Sequence, residues 1–342
     1  LVGSEMCIRD REELMPGVLP EFIPRYGFAT ILPEPEPVKV RAETRTARLQ
    51  FRQDSYKILP DFKDNRAELD EVSNSILLVK QNEDVKITGI YISGYASPEG
   101  SMAHNLVLSE NRAKALAEYI GRHDDIPSDL LHVEWHGEDW AGFVRALDNY
   151  PQLQGLDRIR ELIAKYPDNQ DYCELEIRKL EPAEIYARLL NEVYPPLRRN
   201  EYKIEYNVRN FNLEEARRMV SERPDLLSLQ EMYKVAGSYE KGSADYERVM
   251  ETAARYFPEE PAVLNDRALD ALGRDDAAAA VGMLEGSGLT EKNPSLLNTL
   301  GVAYARSGEM HEAERTFRRA AEQGSDEARR NLEQIRQVID QL

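Results

Sequence analysis

His132-Val-Glu134-Trp-His136 places two imidazoles and a carboxylate at alternate positions, a donor set that could hold zinc. On a strand these side chains share one face, about 7 Å apart between neighbours. That spacing converges poorly on one ion. A half-solvated strand with Leu131, Val133 and Trp135 on its buried face would show water the same polar residues, so the solvated-face reading is preferred. Glu138 and Asp139 could pass for paired catalytic carboxylates, but adjacent residues diverge on a helix or a strand, and Asp139 suits the cap of a helix opening at Trp140. Arg112 stands one helical turn from both Leu108 and Leu116, at the edge of an apolar stripe. There its plain reading is a surface arginine paired with Glu110 or Glu118. No Gly-rich phosphate loop, Ser-His-Asp order or Cys/His metal spacing stands beside these residues. Cys7 and Cys173 are unpaired in spacing, and Cys173 among Tyr172, Leu175 and Ile177 reads as a small core residue. The chain is therefore read as non-enzymatic, with no catalytic residue, metal or cofactor.

The elements that must hold Arg112 follow from periodicity. Asp84–Ser93 alternates Val85, Ile87, Ile90 and Ile92 with polar neighbours, and Gly89 shifts the register once, which predicts a strand with a bulge. Ser97-Pro98-Glu99-Gly100 carries a type I turn signature. A helix follows, capped by Asn105 or Ser109, with Ala113, Leu116, Ala117 and Ile120 as its stripe and Gly121 as its stop. Around this core the pattern predicts a first strand at Thr46–Phe51, a helix at Asn65–Lys80, a third strand at Asp129–Gly137 and a closing strand at Glu201–Val208. The residues between the last two strands read as helices at Ala141–Asn149, Leu156–Tyr166, Asp171–Lys179 and Ala183–Tyr194, ended by Pro195-Pro196.

Gly94, Tyr95, Ala96, Gly100, Asn105, Leu108, Ser109, Arg112 and Ala113 resemble in type and spacing the OmpA-like domain, the peptidoglycan-associating module of Gram-negative cell envelopes. The resemblance implies a βαβαβ sandwich and a pocket for the diaminopimelate stem peptide. In that family an aspartate holds the ligand ammonium and an arginine holds a carboxylate. Arg112 matches the arginine, whereas the aspartate position is Ser97, with Glu99 as a neighbouring acid. The ligand set so implied is Ser97, Glu99, Gly100, Asn105 and Arg112. The Ser-Pro-Glu-Gly turn and the Gly-Glu-Asp-Trp opening of the insertion further resemble envelope proteins in which a tetratricopeptide (TPR) tail follows the OmpA-like domain.

The tail fits that resemblance. Pro261-Ala-Val-Leu-Asn265 and Pro294-Ser-Leu-Leu-Asn298 recur 33 residues apart. Leu300, Gly301, Tyr304, Ala313, Phe317 and Ala320 occupy the positions of the TPR pattern, Glu214–Tyr256 reads as a degenerate first repeat and a half, and Ala328–Leu342 as a capping helix. A net charge of −18 argues against nucleic acid or anionic membrane as partner. No apolar run approaches the ~20 residues that span a bilayer. Residues 1–11 look like sequencing-adapter read-through rather than protein.

The expected division is thus residues 1–11 non-native, a Pro-rich remnant and linker over 12–45, an α/β OmpA-like domain over 46–211 with a helical insertion over 138–198, and an all-α TPR superhelix over 212–342. The expected function is a periplasmic or outer-membrane-associated envelope protein whose OmpA-like pocket engages peptidoglycan while the TPR groove binds a protein partner. A pure interaction scaffold, as in surface-appendage assembly, stands as the alternative. A metal-dependent hydrolase at His132, Glu134 and His136 ranks last.

Overall fold

The computed structural model describes residues 22–52 and 55–341. The adapter-like segment 1–11, Pro16 and Pro20 lie outside the described residues. Two units are distinguished: Pro37–Asn210, and Phe211–Leu342 joined to the segment ending at Glu36.

The first unit runs β1 (Lys39–Ala47), α1 (Asn65–Lys80), β2 (Val85–Ala96), α2 (Met102–His123), β3 (Leu131–Glu138), helices α3 (Trp140–Leu147), α4 (Leu156–Lys165), α5 (Gln170–Arg178) and α6 (Glu184–Arg188), then β4 (Asn200–Val208). The sheet order is β1-β4-β2-β3, with β4 antiparallel to both neighbours and β2 parallel to β3. Helices α1 and α2 pack on the sheet, where Leu69, Val72, Ile76, Leu116 and Ile120 meet Ile90, Ile92, Tyr202 and Ile204 in a water-free core. The expected bulge is present: the β2–β4 register shifts between Ile87 and Gly89. Gly94 lets strand and helix approach closely, because a Cβ there would run into the Ser109 carbonyl and lie 3.0 Å from the Ala113 methyl.

The expectations for strands β1, β4 and β3 are corrected, and α2 runs past the expected stop at Gly121 to His123. The first strand is not Thr46–Phe51. It begins at Lys39, two residues after the last proline of the Pro-rich stretch, and residues 48–51 leave the sheet. Its residues Val40–Thr46 alternate too weakly in hydrophobicity to announce a strand, since β1 is an edge with few buried side chains. Strand β4 does not close the sheet but fills its middle, which is why Tyr202, Ile204, Tyr206 and Val208 are all buried. Trp135 is not on a buried face. It is 40% exposed, because β3 is the other edge strand.

The inserted helices α3–α6 share their own apolar cluster of Phe143, Leu147, Ile159, Cys173, Ile177, Leu189, Val193 and Tyr194. A π turn over Leu189–Val193 carries α6 into Pro195-Pro196, where the helix must stop. Cys173 is buried here, and burial pushes its thiol up to about 11.

The second unit is helical: α7 (Leu213–Glu222), α8 (Leu229–Ala236), α9 (Ala244–Tyr256), α10 (Pro261–Gly273), α11 (Ala277–Glu285), α12 (Pro294–Arg306), α13 (Met310–Glu322) and α14 (Asp326–Ile339). Capping boxes at Asn212/Glu215 and Ser228/Glu231 start α7 and α8. Successive helices pack on one another, and the two Pro-initiated repeats open α10 and α12 as their spacing predicts. Phe317 is wholly buried with its ring over Gly301, where any side chain would collide with it. Residues 22–31, within the stretch read as a Pro-rich remnant and linker, cluster with this unit.

Candidate functional site

The loop between β2 and α2 is built before it is lined. Gly100 takes a φ of +103°, open to glycine and strained for other residues. Ser101, not Asn105, caps α2 by accepting from the His104 amide. Asn105 lies in the first turn and ties the loop together: its Nδ2 donates to the Glu99 carbonyl at 2.8 Å, to Glu138 Oε1 at 2.8 Å and, more weakly, to the Ser97 carbonyl at 3.3 Å. Trp140 Nε1 donates to the other Glu138 oxygen at 2.7 Å. Burial raises the Glu138 pKa, and these two donors only partly offset it. Asp139 caps α3 through the Gly142 amide, as expected.

Beside this loop lies a cleft of 860 Å³ lined by Glu99, Gly100, Asn105 and Arg112 from the predicted set. Arg112, 8% exposed, stacks its guanidinium 4.8 Å from the centre of the Phe51 ring. Ser97 is buried and does not line the cleft. The remaining walls supply Arg48, Arg52, Lys63 and Arg198, together with Pro195 and Pro196 from the insertion. Among the described lining residues cations so outnumber acids that they make the cleft electropositive in an otherwise acidic chain.

Arg198 was not legible as a site residue from spacing or composition. Its Nε donates to Ser97 Oγ at 3.0 Å and its Nη2 pairs with Glu99 at 2.5 Å. The acid beside Ser97 is therefore already matched to a cation of the chain itself. Arg198 lies more than one hundred positions along the chain from Ser97, with the whole insertion between them, and no local pattern points to it. Its neighbour Arg199 pairs with Asp139 at 2.5 Å and Glu201 at 2.8 Å. Those partners hold its pKa up against burial.

The histidines on β3 do something other than converge. His132 stacks on Tyr91 at 4.7 Å and His136 on Tyr95 at 4.7 Å. From the far side Lys203 lies 4.3 Å from the Tyr91 ring and Arg199 4.2 Å from the Tyr95 ring. Two cation–tyrosine–histidine rungs thus line the sheet face away from the helices, one from Lys203 of β4 and one from Arg199 just before it. Among the described residues no three His, Cys, Asp or Glu side chains are grouped to hold a metal ion.

No described helix is long and apolar enough to cross a membrane. Outer membrane protein 41 of Porphyromonas gingivalis (strain ATCC BAA-308 / W83) is similar to this chain, 41% identical over 54 residues. That stretch covers 16% of this chain and 14% of that protein. Residues 50–144, which hold α1, β2, the loop, α2 and β3, match the OmpA family, and they form an OmpA-family domain.

Proposed function

We propose that the chain is a non-enzymatic envelope protein of the periplasm or outer-membrane periphery. Its OmpA-family domain associates with peptidoglycan, and its helical region, read as TPR repeats, holds a protein partner. The observation that carries the reading is the cationic cleft at the β2–α2 loop, with Arg112 in its wall and Asn105 fixing its rim. A stem-peptide carboxylate entering it would meet a guanidinium already oriented over Phe51. Co-sedimentation with purified diaminopimelate-type peptidoglycan, wild type beside Arg112→Ala, tests this. Saturable pelleting that the substitution abolishes is expected, and no pelleting of the wild type would refute it.

A second reading is favoured by Arg198. The resemblance implies an acid for the ligand ammonium at Ser97, yet Arg198 covers both Ser97 and Glu99. A pocket so arranged would reject an ammonium, which supports a scaffold that binds only proteins. The pelleting experiment separates the two readings. The metal-hydrolase reading falls behind both, because among the described residues no three His, Cys, Asp or Glu side chains are grouped to hold a metal ion.

A further inference from the structure

Asn265, Asn298 and Asn331 recur every 33 residues, one each on α10, α12 and α14, and all three are fully buried. Buried amides need partners, and here the partners are the main chain of residues 25–29. Asn331 accepts from the Gly27 N–H and donates to the Gly27 carbonyl, both at 2.8 Å. Asn298 donates to the same carbonyl at 3.0 Å, and Asn265 donates to the Ala29 carbonyl at 3.0 Å. Gln334, one turn beyond Asn331, accepts from the Arg25 N–H at 2.7 Å and donates to its carbonyl at 3.1 Å. The ladder is braced internally, Asn331 donating to Asn298 and Thr299 to Asn265.

The residues read are Arg25, Gly27 and Ala29, every second one, which is the period of an extended strand. The residues between them place rings on the helices: Tyr26 packs 5.7 Å from Phe317, and Arg306 lies 5.7 Å from the Phe28 ring. Such a surface reads backbone and leaves most of the bound sequence free to vary, apart from the position facing Phe317 and from Gly27, where a Cβ would press on the Glu327 carboxylate.

We infer that the asparagine face of α10, α12 and α14 is a binding site for an extended peptide, which the chain's own residues 22–31 fill in cis. The inference rests on the reading of the helical region as protein-binding and names what occupies it. Any partner peptide that docks on this face must first displace the strap. A tethered strap acts at an effective concentration near the millimolar range, so a strap of ~10 μM intrinsic affinity should weaken any incoming peptide by about 100-fold.

The test introduces a specific protease site at Glu34-Pro35-Glu36 and adds a fluorescent peptide of residues 22–31 to the full chain. Before cleavage, uptake should be at least about 100-fold weaker than after it, when the strap can exchange. In the cleaved chain Asn298→Ala/Asn331→Ala should lower affinity by ten-fold or more, and Gln334→Ala, at the rim, should weaken it in the same direction if the double variant does not fold. Equal uptake before and after cleavage, or uptake untouched by the amide substitutions, would overturn the inference. Pelleting with peptidoglycan reads the other domain, so the two proposals fail separately.

Discussion

Replacing Asn105 tests whether one amide organises the loop. An NH2 group has two protons, so the 2.8 Å bonds to the Glu99 carbonyl and to Glu138 are its two full bonds, and the 3.3 Å contact to Ser97 shares one of them. A neutral bond is worth about 1 kcal/mol and one to a carboxylate about 2, so Asn105→Ala should destabilise the first unit by about 3 kcal/mol. At 2–4 °C per kcal/mol that is a fall of roughly 6–12 °C in its melting temperature. Asn105→Asp is nearly isosteric yet should be worse than alanine at neutral pH. It sets a second carboxylate 2.8 Å from Glu138, a repulsion of about 6 kcal/mol at an effective dielectric of 20. Sharing a proton caps that penalty at about 4 kcal/mol at pH 7, and the gap should close towards pH 4. Both tryptophans of the chain, Trp135 and Trp140, lie in this unit, so tryptophan fluorescence during thermal unfolding reports it selectively. An aspartate variant as stable as the alanine variant at neutral pH would refute the reasoning.

Other outcomes follow from the same geometry. Gly94→Ala pushes a methyl into the Ser109 carbonyl, and overpacking of this kind should destabilise the first unit by about 1–3 kcal/mol in urea unfolding; an unchanged midpoint would contradict it. Ser97→Asp alone should not improve peptidoglycan pelleting, because Arg198 would neutralise the new acid. Ser97→Asp/Arg198→Ala should improve it, and the reverse order of effect would discard the pairing argument. Burial raises the Glu138 pKa, so the folded chain binds that proton more tightly than the unfolded one. Its stabilising contribution is complete below the ordinary carboxylate range and is lost as pH rises through the raised value. The stability advantage of wild type over Glu138→Gln should accordingly fall as pH rises above the ordinary carboxylate range, and an advantage that grows with pH would reverse the sign assigned here. Cys173, buried with its thiol pushed up to about 11, should resist thiol reagents at neutral pH until the protein unfolds.

Helix α1 matches its expectation residue for residue because Leu69, Val72, Ile76 and Val79 repeat on one face with nothing competing. The Gly89 bulge and the Asp139 cap were equally legible, since each depends on residues within one turn or one strand step. Arg112 and its loop could be placed from spacing alone, and the structure sets them at the cleft. What escaped the sequence was long-range. Strand β1 earns its place by pairing with β4 rather than by its own alternation, and the exposure of Trp135 is set by strand order. Arg198 reaches Ser97 across the insertion, and the strap meets amides more than two hundred residues away. The recurrence of Asn265 and Asn298 was visible, but nothing local says that a buried asparagine faces another segment's backbone.

The placement of β4 also governs when the molecule can form. The sheet is held together by a strand that follows the insertion in sequence, and Lys39 must wait for Val208. Until residues 200–208 are available, β1 has no neighbour and one edge of β2 stands open, which is a template for mispairing. The inserted helices have their own apolar cluster and can condense earlier, holding the chain in a partly ordered nascent state. The same delay recurs in the other unit, where residues 25–29 wait for Asn265, Asn298 and Asn331. Closures of such high sequence separation are slow. Refolding should therefore be limited by the arrival of β4, and a chain interrupted before residue 200 should depend on chaperones throughout its lifetime.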